Sequence, residues 1–202
     1  MQKNILIDSV PSTFMIGGTE YPIHTDFRTW IRFELLLQSD VSTETDILEQ
    51  AKELIFIESI PPEDYNDDTV AQMVLFYCCG QTEIKAAGKS AADAQQIYDY
   101  NIDAAYIYAA FMQQYNIDLH KIKSLHWWLY QALFTSLSEE CKFVKIMEYR
   151  SVKITAKMPQ EQRDFYRRMQ RIYGLSQPKA KSKKIDQINA RLMRGEDIAD
   201  LL

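Results

Sequence analysis

Glycine and proline are scarce: the 202 residues hold six of each, and long stretches contain neither. Strand-rich folds need such residues at every reversal, so their scarcity favours helices. Cysteine is scarcer still, with Cys78, Cys79 and Cys141 alone. Three thiols cannot all pair, the adjacent two would make a strained bridge, and no CxxC spacing occurs, which points to a reducing compartment. No apolar run reaches the roughly 18 residues of a membrane span, and the opening MQKNILIDSVPST lacks the apolar core of a secretory leader. The chain is therefore expected to be neither secreted nor membrane-spanning.

Patterns that carry chemistry are missing as well. The histidines are His24, His120 and His126; the last two lie six apart, on different faces of a helix, and no HExxH pair occurs. Gly17-Gly18 lacks the remainder of a phosphate-binding loop, and Gly88-Lys89-Ser90 has neither the glycine five residues earlier nor a preceding strand. Cys78-Cys79 sits in an apolar helical pattern, where cysteine packs as a small hydrophobe. Glu139-Glu140 opens a helix, where the macrodipole accounts for it. No catalytic, cofactor-binding or metal-ligating residue is assigned, no cofactor is expected, and the chain is expected not to be an enzyme.

What is present is helical periodicity. With 47% hydrophobic and 25% charged residues, the chain can build a core without staples. Two β-rich runs around Gly17-Gly18 predict a hairpin, and Asp26 is a plausible N-cap for a helix carrying Phe27, Trp30 and Phe33. A second helix opens at Ser42 or Thr43 and is stopped by Pro61-Pro62; a third runs from Asp67 or Asp68 to Gly80. Gln81 to Asp93 is polar and Ala-rich, a linker. Ala94 to Tyr115 reads as a nearly all-round apolar helix, with Asp99, Asp103, Gln113 and Gln114 as its solvated stripe. Asp118 is expected to cap a helix through Leu125-His126-Trp127-Trp128 to Leu137, Ser138 to open one ending near Tyr149, and Pro159 to begin another that stops at Gly174-Leu175. The expected architecture is mainly α, a multi-helix bundle in two subdomains. Residues 1–80 hold the hairpin and first helices, 81–93 the linker, 94–176 the second subdomain, and 177–202 a basic tether and short terminal helix.

Two surfaces are candidates for binding. Residues 1–149 carry 10 basic and 22 acidic side chains, whereas 150–184 carry 11 basic and 2 acidic. Arg163, Arg167 and Arg171 repeat at i, i+4 with Arg168 beside them, and Phe165, Met169 and Ile172 lie on another face. This ridge reads as a solvated face, as a site for an acidic protein surface, or as a nucleic-acid contact, which the acidic remainder of the chain disfavours. The second candidate is aromatic. Leu125, Trp128, Leu129, Ala132 and Leu133 make a core stripe, which leaves Trp127, Tyr130 and Phe134 on the adjoining face, either packed in the core or available as a partner or homo-oligomer contact.

These residues also carry a resemblance. Asp103-Ala104-Ala105-Tyr106-Ile107-Tyr108-Ala109-Ala110-Phe111, Tyr115-Asn116-Ile117-Asp118-Leu119 and Leu125-His126-Trp127-Trp128 are similar to the bacteriophage gene-product-fifteen family. So are Phe143, Ile146-Met147-Glu148-Tyr149-Arg150, Tyr166-Arg167-Arg168, Tyr173-Gly174-Leu175, and the hairpin followed by Asp26-Phe27-Arg28. The resemblance spans roughly residues 5–176. It implies a protein of tailed phages and prophages of Gram-positive bacteria, encoded between the major tail protein and the tape measure, where tail assembly chaperones usually stand. The implied activity is to bind the tape measure protein in the host cytoplasm and keep it soluble while tail tube subunits polymerise, with the tail tube protein as a further partner and self-association expected. The rival readings are a structural component retained in the virion tail and a nucleic-acid-binding accessory protein.

Overall fold

A computed structural model describes residues 4–39, 44–61, 67–81 and 96–175. The chain is mainly α. Its elements are β1 (Thr13–Ile16), β2 (Thr19–Pro22), α1 (Phe27–Leu37), α2 (Glu44–Ile55), α3 (Asp67–Tyr77), α4 (Ala104–Tyr115), α5 (Trp127–Thr135), α6 (Lys142–Ser151) and α7 (Gln160–Tyr173). The described residues form two compact units, one drawn from 4–81 and 124–131, the other from 96–123 and 132–175. The expected linker from residue 82 onward, the tail beyond 176, and the Ser42/Thr43 cap lie outside the described residues.

In the first unit the hairpin closes as its sequence predicts. Gly17 and Gly18 both take positive φ, 55° and 84°, the two-residue turn that matches strand twist. Alternation along β1 buries Phe14 and Ile16 and exposes Met15. A two-stranded sheet is marginal alone, and here it lies on α3: Phe14 meets Phe76 edge-on at 5.9 Å, and the Gln72 amide bonds both backbone groups of Met15. Asp26 caps α1, accepting from the Arg28 N–H at 3.0 Å, and Phe27, Trp30 and Phe33 point into the core. Helix α2 ends at Ile55, earlier than the two prolines require, because His24 N–H bonds the Ile55 carbonyl at 2.7 Å and Phe56 turns out to bridge Ile23. Helix α3 ends through Cys79 and Gly80, both left-handed; the Gly80 N–H reaches back to the Leu75 carbonyl at 2.8 Å. Trp128 lies so close that a Cβ on Gly80 would sit 2.9 Å from its ring.

Two helices begin later than their periodicity predicts, for the same reason. Residues expected in the first turns of a helix from Ala94 instead form a turn in which the Asp99 carboxylate accepts from the N–H groups of Asn101 and Ile102, and α4 starts only at Ala104. Asp118 likewise caps a local turn, accepting from His120 and Lys121, so α5 starts at Trp127. Between them, Leu125 and His126 are extended. The Leu125 carbonyl accepts from Phe27 N–H at 2.9 Å, and Trp127 N–H donates to Thr25 at 2.8 Å.

The second unit packs Tyr100, Ile107, Phe111, Phe134, Phe143 and Ile146 into its core. Asp103 is not solvated. It is fully buried and forms a two-pronged ion pair with Arg150, at 2.6 and 2.9 Å, while also accepting the Asp99 N–H. Arg150 also donates to the carbonyls of Ile97 and Tyr173, so a single buried guanidinium joins the turn before α4, helix α6 and the end of α7. Helix α4 buries Ile107, Ala110 and Phe111 but exposes Ala104, Ala105 and Ala109, so it is half-covered and not the all-round core helix its composition suggests.

Candidate interaction surface

The aromatic candidate is not a surface. Trp127 and Tyr130 are sealed at 0% and 1% exposure, Phe134 is buried, and so is Trp128; the large apolar residue left out in solvent is Leu129, at 39%. The stripe assigned from sequence was rotated. With nearly every residue of α5 apolar, hydropathy carries little information about which face turns inward. Trp127 lies in a near-parallel series of rings: Tyr77 at 5.6 Å on one side, Tyr130 at 5.7 Å on the other, and Tyr130 in turn stacked on Phe27 at 4.8 Å. Phe134 packs separately, within the second unit, on Tyr98 and Phe143.

The two adjacent indoles have a specific task. The last carbonyls of a helix have no partner inside it. Trp128 Nε1–H donates to the Phe76 carbonyl and Trp127 Nε1–H to the Tyr77 carbonyl, each at 2.8 Å, so the pair caps the end of α3. His126 completes the clamp. Its Nδ1 accepts from Trp128 N–H at 3.1 Å and its Nε2–H donates to the Pro11 carbonyl at 2.9 Å, which fixes the neutral imidazole in one tautomer. Burial holds this histidine below its ordinary value, against the upward pull of the Pro11 bond. The Leu125-His126-Trp127-Trp128 block is therefore the internal fastening of the first unit.

The arginine candidate is a surface. Helix α7 buries none of its 14 residues. It rests on α6 through ring contacts of Tyr149 with Phe165, Tyr166 and Tyr173, and through the Gln170 amide, which donates to the carbonyls of Tyr149 and Val152 at 2.9 and 2.8 Å. Those two bonds cap the end of α6. Arg167, Arg168 and Arg171 are exposed, and Arg163 is half-buried against Gln160. Phe165 and Ile172, at 37% and 58% exposure, form an apolar edge on the same helix. Sequence reasoning identified the arginines and placed these two apolar residues on a separate face without assigning them a contact; their exposure follows from how little of α7 is covered by α6.

The thiols and histidines have ordinary surroundings. Burial, with Cys78 beside it, pushes the Cys79 thiol up to about 12, and burial raises Cys78 as well, so both stay protonated and weakly nucleophilic at neutral pH. His120 stands against the Tyr108 ring and His24 is exposed. Among the described residues no group of three or more His, Cys, Asp or Glu could hold a metal ion, and no helix is long and apolar enough to cross a membrane. The Asp103–Arg150 pair escaped the sequence reading; the one signal was an aspartate set in the apolar pattern that leads into α4.

No curated protein and no solved structure matches the chain. One family model does, and it takes in the hairpin, the tryptophan clamp, the buried ion pair and α7 together: the model described as Bacteriophage Gp15 protein matches residues 6–175. The chain belongs to the Bacteriophage Gp15 protein family and is a phage protein.

Proposed function

We propose that this chain is a non-enzymatic tail assembly chaperone of phages of Gram-positive bacteria. It binds the tape measure protein in the host cytoplasm and keeps it soluble while tail tube subunits polymerise around it. The observation that carries this reading is α7, a helix with no buried residue whose Phe165 and Ile172 stand exposed beside arginines in a phage protein. A long helical partner with apolar stripes aggregates until something covers it. An exposed helix edge with two large apolar side chains offers modest affinity, and many copies along one rod give avidity while each remains displaceable by an arriving tube subunit. Exposed Arg168, the arginine nearest that edge around the helix, suits a partner with carboxylates flanking its apolar stripe.

Support for a binding role comes from the surface, since the tightly packed aromatics are occupied with internal work. The test is co-expression of the chain with the tape measure protein of the same phage. Soluble tape measure is expected to rise and to co-purify with the chain. Unchanged solubility without co-purification contradicts the proposal. A structural tail component would be found in stoichiometric amounts by mass spectrometry of purified virions, whereas a chaperone is absent from them.

A further inference from the structure

Charge is divided unequally between the two units. Among the described residues the first holds 11 acidic and 3 basic side chains, and the second holds 8 acidic and 11 basic. The densest part of each is a ridge on one helix. Along α7, Arg163, Arg167 and Arg171 stand at i, i+4, i+8 and span about 12 Å, the last two exposed. Along α2, Asp46, Glu49 and Glu53 stand at i, i+3, i+7 and span about 10 Å. All three are exposed, as is Glu58 just past the helix end.

The ridges correspond in length and spacing and are opposite in sign. The pairings of Arg167 and Glu49 are weak. Arg167 lies 3.2 Å from Asp164 with both more than half exposed, and Lys52 lies 4.0 Å from Glu49. Exposed pairs one turn apart on a helix contribute little and exchange readily for better partners.

We propose that α7 of one copy of this chain docks on α2 of another, arginine ridge against carboxylate ridge. A second copy is the occupant because the complement, of similar length and opposite charge, is carried by the same sequence. The two surfaces differ, so the contact is heterologous: each joined pair leaves one α2 and one α7 open, and association closes as a ring or continues as an extended array. The apolar edge of Phe165 and Ile172 stays available, because at 100° per residue Arg167 and Arg171 lie 100° or more around the helix from it. Self-docking and capture of a foreign helix thus use different edges of α7.

Sedimentation velocity of the full chain tests this. Species larger than a monomer are expected to grow with concentration at about 50 mM salt and to recede at about 0.5 M, where the screening length falls to about 4 Å. Arg167→Glu with Arg171→Glu, or Glu49→Arg with Glu53→Arg, should each weaken association about tenfold or more. An equimolar mixture of the two double variants should reassemble, because each then supplies the ridge the other lacks. Thermal melts followed by circular dichroism establish that both variants are folded; neutral glutamine replacements at the same four positions give a milder series with the same direction. A chain that stays monomeric at all concentrations and salts overturns the proposal. So do oligomers indifferent to the reversals, or a mixture that fails to reassemble.

Discussion

Single residues decide whether the tryptophans belong to the core or to a partner, and their stability effects separate the two. Trp127→Ala removes a fully buried ring stacked on two others and an indole N–H that caps α3, so a loss of about 3–5 kcal/mol is expected. Trp127→Phe keeps most of the packing and loses the bond, for about 1–3 kcal/mol. Exposed Arg168→Ala should change stability by less than about 0.5 kcal/mol. Denaturant melts of the three variants check this ordering; a Trp127→Ala chain as stable as the parent would put the indole outside. Arg150→Met leaves the Asp103 carboxylate buried without its partner, which costs about 3–5 kcal/mol. The double change Asp103→Leu with Arg150→Met should recover much of that loss, as a double-mutant cycle would show.

His126 makes stability depend on pH. Its folded-state affinity for protons is below the unfolded value of 6.5, so below that pH the unfolded chain binds more protons and stability falls with acidification. Protonating Nδ1 also breaks the bond from Trp128 N–H. The melting temperature should drop between about pH 6.5 and 5. His126→Gln should start lower at pH 7 and show a shallower slope across that window. Parallel slopes for parent and variant would remove His126 as the cause.

Among elements, those set by local chemistry were legible in the sequence. The Gly17-Gly18 turn, the Asp26 cap, α3 with Gly80 and the amphipathic α7 each follow from residues within a few positions of one another. Where local and distant preferences compete, periodicity misled. Asp99 reads as part of a helix's solvated stripe and Asp118 as a helix cap, yet both hold turns, because their carboxylates bond the next backbone N–H groups. The rotation of α5 was illegible because its residues are apolar on every side, and only the carbonyls of α3, about 50 positions earlier, decide which indoles turn inward. Asp103 was read as solvated because its partner lies 47 residues downstream. The candidate site divides the same way. The exposure of the arginine face was legible because amphipathicity is local, and the choice between core and contact for Trp127, Tyr130 and Phe134 was left open because burial is set at a distance.

At the scale of the molecule, tightly packed internal aromatics and a nearly uncovered α7 belong to one proposed account, in which most aromatic rings serve the chain's own stability and α7 is offered to the tape measure protein. Phe165 and Ile172 are the residues on which that account depends most directly. The decisive measurement is quantitative co-purification of the tape measure protein with the parent chain and with Phe165→Asp/Ile172→Asp, both verified as folded by thermal melting. The account predicts that the parent retains the tape measure and that the double variant loses at least about tenfold of it. Undiminished retention by a folded double variant would contradict it.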